Sequence, residues 1–247
     1  IDQEKVFPKF LYYQLSLIDY TNLNVGSAVP SLTVQVINEI DINLPSINEQ
    51  KAIANVLSSL DDKIDLLNRQ NAKIEKMMTT FFRQWFEENA DDNWKTKSLS
   101  SIATFLNGLG CQKYTKKNEI DKLPVLKIKE LGNGITESSD WASTDIKKDY
   151  IVHNGDVIFA WSASLMVKIW NGGDCILNQH LFKVSSNEYP KWFYYMWCKH
   201  HLDEFLAIAE SHATTMGHIK RGDLDEAKVL IPSDEELDAM SEQMEPL

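Results

Sequence analysis

The amino-acid sequence predicts an α+β protein in which a long coiled-coil-forming α-helix carries a domain of mixed helices and strands. One observation is a 4-3 apolar repeat in residues 48–88, a stretch without Gly or Pro. Another is the mixture of strand-like and helical patterns in residues 94–232. A partial internal repeat flanks the long helix. We therefore expect four segments: 1–45, 46–90, 91–232 and 233–247.

The long helix has a start signal and a regular apolar stripe. Pro45 and Ser46 precede it, and Glu49 stands three residues after Ser46, as in a capping box. A helix packed on a globular core would tolerate irregular spacing, so this regularity favours a helix–helix seam, in which the polar Asn71 would set the register. After Ile53, the predicted seam consists of Leu57, Leu60, Ile64, Leu67, Asn71, Ile74, Met78, Phe81 and Trp85.

The repeat indicates a duplicated domain. Lys9–Tyr13 (KFLYY) recurs as Lys191–Tyr195 (KWFYY), and 32–46 aligns with 219–233. We interpret residues 1–45 as the C-terminal remnant of a first domain and 233–247 as the start of a second long helix. The same alignment places Met240, Met244 and Leu247 on Ile53, Leu57 and Leu60 of the first helix.

The net charge of −11 is unevenly distributed. Residues 1–93 carry 8 basic and 14 acidic side chains, and residues 233–247 carry 6 acidic ones and no Lys or Arg. Residues 94–232 carry 17 basic and 16 acidic side chains. Because DNA affinity depends on local Lys and Arg, the acidic total does not exclude DNA binding.

The three cysteines are widely spaced, which argues against a disulfide framework and predicts a cytoplasmic protein. No apolar run approaches the ~20 residues that span a bilayer, so we expect no membrane association. Cys198, His200 and His201 could suggest a metal site, but no second ligand pair is visible, and side chains of an amphipathic helix are the favoured interpretation. We expect no metal.

The 94–232 segment contains no familiar catalytic motif. A third glycine for a dinucleotide loop, a Walker A sequence, a Gly-x-Ser-x-Gly elbow and a His-Glu-x-x-His pair are all missing from the sequence. We expect strands at 124–129, 156–161, 167–170, 175–184 and 228–231, a helix at 190–209 and a helical turn at 217–225. The prediction is therefore a binding domain and not an enzyme.

Residues suited to DNA contact fall in four short segments. A lysine-rich loop around Tyr114 could meet phosphates, although a solvated loop is an equal alternative. Asn and Gln can pair with adenine, and Ser, Thr and His carry donors or acceptors, but turn chemistry explains the same residues. The nominated residues are Lys113, Tyr114, Lys116, Lys117, Lys127, Lys129, Ser162, Ser164, Asn178, Gln179, His180, Thr214, Thr215, His218, Lys220 and Arg221.

Several phrases resemble one known family. The start of the long helix (PSxxEQxxIA, then LSSLDDKIDLLNRQN), its FFxxWF end, and the segments 155–159 (GDVIF), 178–180 (NQH) and 218–224 (HIKRGDL) are similar to the specificity subunits of type I restriction-modification enzymes. These motifs are distributed over most of the chain. The resemblance implies that 91–232 is a target-recognition domain, and that the long helix is both a spacer and a docking element.

The resemblance further implies a set of partners. Double-stranded DNA would be one, modification subunits that bind S-adenosylmethionine another, and the restriction subunit an indirect third, with no cofactor in this chain. Most of a first recognition domain and nearly all of a second helix are missing, so we expect this chain, when alone, to form a homodimer through its seam. The alternative function is a coiled-coil protein–protein scaffold without DNA specificity.

Overall fold

We describe a computed structural model of the chain, covering residues 2, 4–23, 32–114, 120–211 and 217–244. The chain divides into two compact units, Ile1–Glu75 and Lys76–Leu247. Within the described residues, no helix is long and apolar enough to cross a membrane.

The first unit is helical. Its long helix is followed by a π-helical turn at Gln84–Glu88, so the predicted 48–88 helix is confirmed. The Ser46–Glu49 capping box is also present: Glu49 Oε2 accepts hydrogen bonds from Ser46 N (3.0 Å) and Oγ (2.6 Å). The elements are α1 (Pro8–Ser16), a 3-10 turn (Tyr20–Leu23), α2 (Val34–Asn38) and α3 (Ile47–Arg83).

Buried polar contacts fasten α1 to the start of α3. Gln50 is 1% exposed, its Oε1 accepts from Phe7 N (2.9 Å), and its Nε2 donates to Lys5 O and Pro45 O. Tyr13 Oη donates to Asp61 Oδ2 (2.5 Å). Phe10 and Ala54 are also buried in this unit. The α1 segment therefore covers one face of the first turns of α3.

The second unit is mixed α and β, as predicted for an α+β fold. Its elements are β1 (Lys95–Ser98), α4 (Leu99–Ile102), β2 (Thr104–Asn107), β3 (Lys122–Leu126), α5 (Ile128–Asn133), β4 (Trp141–Ser143), β5 (Ile151–Val152), β6 (Val157–Ala160), β7 (Met166–Ile169), β8 (Cys175–Leu177), β9 (Leu181–Ser185), α6 (Lys191–His200), α7 (Leu202–Ser211), α8 (Arg221–Glu226), β10 (Lys228–Ile231) and α9 (Asp234–Met244).

The strands form three sheets. An antiparallel sheet has the order β2-β9-β6-β7, a mixed sheet has the order β4-β3-β8-β5, and β1 pairs with β10. In the mixed sheet only β3 and β8 run parallel. An aromatic core lies against the antiparallel sheet and contains Phe82, Phe86, Phe159, Phe193 and Trp197.

The second unit repeats contacts of the first. Ser233 and Glu236 form the same capping box as Ser46 and Glu49, with Ser233 Oγ donating to Glu236 Oε2 (2.7 Å). Trp192 Nε1 donates to Ser241 Oγ (2.9 Å), and the sequence repeat aligns these residues with the buried Phe10 and Ala54. The capping box therefore recurs at the aligned position of the sequence repeat, and the domain duplication stays a prediction.

Three predicted elements end differently in the structure. The predicted strand 124–129 stops at Leu126, because β8 pairs only as far as that residue and Lys127 O then accepts the helical bond from Leu131 N. The predicted strand 175–184 is two strands in different sheets, separated by a turn at 178–180. The predicted helix 190–209 is divided into α6 and α7 at His201.

The predicted seam has two different environments. Within the second unit, Met78, Phe81 and Trp85 are half-buried and pack against the aromatic core. Phe82 and Phe86 are more deeply buried than this stripe, at 2% and 5% exposure, because both rings pack against Trp197 in the aromatic core.

The remainder of the seam lies in the first unit. Leu57 and Ile74 are half-buried, while Asn71 is exposed. Leu60 and Ile64 are each 56% exposed, and Ile53 and Leu67 are 41% and 43% exposed. This stretch is therefore an apolar surface in the isolated chain.

Candidate functional site

The candidate site lies at one end of the antiparallel sheet. Asn107 is the last residue of β2, Trp161 follows β6, and His180 precedes β9. Because β9 runs antiparallel to both β2 and β6, these three positions share one edge. The sheet therefore brings residues far apart in sequence to a common surface.

Backbone hydrogen bonds connect the loops at this edge. Ile219 N donates to Trp161 O (3.1 Å), and Ser162 forms an isolated antiparallel bridge with His218. Gln179 N donates to Leu109 O (2.9 Å). These bonds fix the backbone positions from which the side chains of Ser162, Gln179 and His218 extend.

A close backbone approach at Gly108 adds to this arrangement. A Cβ atom on Gly108 would lie 2.2 Å from Asn178 O, so only glycine fits there. The Gly108–Gly110 segment thus permits the loops to meet.

An aromatic and polar group of side chains occupies the centre of this edge. Trp161 is half-buried and stacks on Phe182 with centroids 5.7 Å apart. His180 and His218 lie 5.9 Å and 6.4 Å from the same indole. We call the following set the Trp161 cluster: Asn107, Trp161, Ser162, Gln179, His180 and His218.

Hydrogen bonds orient the members of the Trp161 cluster. Trp161 Nε1 donates to Asn107 Oδ1 (3.2 Å), and His180 Nδ1 hydrogen-bonds with Ser162 Oγ (3.2 Å). Gln179 Nε2 lies 3.4 Å from His180 Nε2. Because His180 and His218 are exposed and Gln179 is half-buried, the cluster offers donors and acceptors to a ligand.

Backbone strain marks the loop beside the cluster. Ala163 has a φ of 57°, the only positive φ of a non-glycine residue in the described part of the chain. Its amide donates to Gly217 O (2.9 Å), which secures this conformation between Ser162 and the exposed Ser164. Such strain tends to occur at functional loops.

The lysine-rich segment begins beside the same edge. Lys113 and Tyr114 end a short 3-10 turn, with Lys113 exposed. A Cβ on Gly110 would lie 3.1 Å from Gln179 Oε1 and 3.6 Å from Gln112 Oε1, so two carboxamides flank this glycine. Gln112 was not singled out from sequence, yet it extends the polar surface.

Asn178 and its neighbour Cys111 belong to the interior. Asn178 is 3% exposed, and its Oδ1 accepts from His180 N (3.3 Å). Burial raises the pKa of the Cys111 thiol, and a hydrogen bond with Asn178 partly offsets this rise. The position of Asn178 is thus that of a residue that supports the 178–180 turn, and its predicted contact with a base stays a prediction.

Lys127 and Lys129 lie away from the predicted strand and have partners within the chain. Lys127 precedes α5 and pairs with Asp140, and Lys129 Nζ donates to Ser138 Oγ (2.9 Å) from the first turn of α5. Both contacts are at the surface, where an ion pair such as Lys127–Asp140 contributes little to stability.

Lys220 and Arg221 are exposed at the start of α8, directly after His218. Arg221 Nη2 donates to Phe105 O (3.3 Å), which holds its guanidinium near β2. The four remaining nominated residues, Lys116, Lys117, Thr214 and Thr215, lie outside the described residues.

The histidines of α6 serve the fold. His201 Nε2 hydrogen-bonds with Lys228 O (2.8 Å) and its Nδ1 contacts Glu204, whereas His200 Nδ1 lies 3.2 Å from Glu87. Burial is the main reason that the His200 pKa is lowered. Across the described ranges, no group of three or more His, Cys, Asp or Glu side chains could hold a metal ion.

Sequence reasoning missed Trp161 and Asn107. Trp161 was assigned only to a strand, although an aromatic residue directly before Ser162-Ala163-Ser164 was a usable signal for a contact surface. Nothing in the local sequence of Asn107 reveals its bond to Trp161, which depends on strand pairing.

Comparisons with known proteins place the chain in one family. The profile of the family described as "Type I restriction modification DNA specificity domain" matches residues 1–76 and 91–247. The MjaIX specificity subunit of Methanocaldococcus jannaschii is 26% identical over 279 aligned positions, covering 100% of this chain and 64% of that protein. The MjaVIII specificity subunit of the same organism is 24% identical, covering 96% of this chain and 63% of the relative.

A solved structure has a similar fold. The type I restriction-modification S subunit from M. genitalium matches with a TM-score of 0.55 and 14% identity, covering 100% of this chain and 71% of that one. The family match extends over both units and includes the segments that form the Trp161 cluster. The chain belongs to the family of type I restriction-modification DNA specificity domains.

Proposed function

We propose that this chain is the sequence-specific DNA recognition subunit of a type I restriction-modification complex, and that it directs methylation and cleavage by partner subunits. The observation that carries the proposal is the convergence of segments 162–164, 178–180 and 218–221 at one sheet edge. Exposed His, Ser, Lys and Arg side chains and the half-buried Gln179 would provide both base-edge and phosphate contacts there. The family membership supports the same function.

The partners follow from the same proposal. Modification subunits would bind S-adenosylmethionine and carry out methyl transfer, and the restriction subunit would join through them. This chain would hold no cofactor and would show no methyl transfer by itself. The exposed apolar stretch of α3, Ile53 to Leu67, would be the docking surface for helices of other subunits.

In the absence of other subunits, we propose that this stretch pairs with that of a second copy. Leaving four large apolar side chains in water forgoes the stabilisation that burial would provide. An antiparallel homodimer would place two recognition domains at opposite ends and would read a symmetric target. The exposed apolar surface also suits the alternative function, a protein–protein scaffold without DNA specificity.

A filter-binding titration separates DNA recognition from the scaffold function. The chain is first used to select from duplexes with a randomised central segment, and the selected and random duplexes are then titrated at several salt concentrations. Recognition predicts a preference for selected DNA, together with affinity that falls as salt rises. Equal, weak binding to both pools would instead favour the scaffold.

A further inference from the structure

Trp161 is the surface end of a buried column of aromatic rings. It stacks on Phe182, which contacts Phe159 edge-on (6.4 Å), and Phe159 stacks on Phe205 (5.9 Å). Phe159 and Phe205 are 0% and 1% exposed. With its Nε1 bound to Asn107, the indole is held rigidly by the core, as a specificity contact requires.

The surroundings of Trp161 select the kind of group that it can contact. Phe182, His180 and His218 all have ring centroids within 6.4 Å of the indole, which is left half-buried. These rings cover part of the indole, so the part that stays uncovered suits contact with a small apolar group better than stacking of a whole base. His180 lies 5.9 Å from the indole, and Gln179 Nε2 lies 3.4 Å from His180 Nε2, so hydrogen-bonding side chains are near the same surface.

In the major groove, the small apolar group that carries sequence information is the C5-methyl group of thymine. We infer that Trp161 is a specificity-determining residue that contacts one thymine methyl, while Gln179 and His180 bond to adjacent base edges. This inference rests on the proposed DNA-recognition function. It assigns direct base readout to Trp161, which lies between the nominated polar segments in the structure but was not nominated from sequence.

The test removes the methyl group from the DNA and the indole from the protein. Each thymine of the duplex selected by the wild-type chain is replaced in turn by deoxyuridine, which lacks only the C5-methyl group. At one position, wild-type binding should weaken about fourfold, the value for losing one buried methyl-sized group. In the Trp161→Ala variant the same replacement should have almost no effect.

Two further variants keep the test decisive. If Trp161→Ala does not fold, Trp161→Phe takes its place in the test. Because this variant retains a ring that packs on Phe182, its binding should weaken less than that of the wild type, but measurably, when the thymine methyl group is removed. Trp94→Phe changes a half-buried tryptophan before β1, whose Nε1 donates to Glu236 outside the Trp161 cluster, and should respond as the wild type does. Thermal unfolding of each variant verifies that the domain is folded.

The outcomes are distinct. Equal sensitivity of wild type and Trp161 variants at every thymine, no sensitivity at all, or a selected duplex without A·T pairs overturns the inference but leaves DNA recognition intact. Failure of the wild-type chain to select any sequence overturns the proposed function and, with it, this inference.

Discussion

Ile64→Glu should abolish self-association of the isolated chain through α3. Ile64 is 56% exposed in the isolated chain, so pairing would bury about half of its side chain and contribute about 0.8–1.5 kcal/mol in each copy. The substitution removes this contribution twice, and it also places a carboxylate without a partner in the seam. We therefore expect the dimer to weaken by about a hundredfold or more.

The assay is light scattering at about 50 µM protein, where a dimer of micromolar affinity would be largely formed. Ser59→Glu is the matched control, because it adds the same charge about 100° away from the seam around the helix, at an exposed position. The wild type and Ser59→Glu should have the mass of two chains, and Ile64→Glu that of one. A wild type that is monomeric and unaffected by Ile64→Glu would refute the reasoning.

Three further predictions concern DNA contacts and stability. Replacing Lys113, Lys116 and Lys117 with Ala should weaken DNA binding and reduce the slope of log affinity against log salt by about 0.9 per lost phosphate contact; unchanged slope in filter binding would mean a solvated loop. Gln179→Ala should cost about 1–3 kcal/mol on selected DNA and almost nothing on random DNA, and equal losses would assign Gln179 to the fold or the backbone contact. Because burial lowers the pKa of His200, the free energy of unfolding should decrease as pH falls from the usual imidazole value of about 6.5 towards the lowered pKa, since the unfolded chain binds the proton first. In denaturant titrations at pH 7 and pH 5.5, His200→Gln should show a smaller decrease, and an equal decrease in both proteins would exclude His200 as its source.

Local signals were sufficient for the long helix and its cap. The 4-3 repeat and the Ser46–Glu49 pair depend on neighbours within one or two turns, and both are confirmed in α3. The pattern was less informative at the end of the helix. There Phe82 and Phe86 are buried deeper than Phe81 and Trp85, because both rings pack against Trp197, a tertiary contact that the 4-3 spacing does not reveal.

The candidate site was only partly predictable, because it is assembled by strand pairing. The sequence identified the polar segments that contain Ser162, Gln179 and His218, and antiparallel pairing of β9 with β2 and β6 then brings their loops to one edge. The prediction of one strand over 175–184 overlooked the 178–180 turn, because residues 178–180 connect β8 in one sheet to β9 in another. Lys127 and Lys129 were misplaced for a similar reason: a helix starts where the ladder to β8 ends.

The most direct test of the central claim, that this chain chooses the DNA sequence at which its complex acts, is a map of DNA methylation in host cells. Methylated positions are sequenced in three strains. One carries the gene that encodes this chain, one lacks that gene, and one carries it with the Gln179→Ala substitution. We predict that methylation disappears at one sequence motif when the gene is absent, and that Gln179→Ala diminishes or redirects methylation at the part of the motif that this domain reads. An identical methylation map in all three strains would contradict the account.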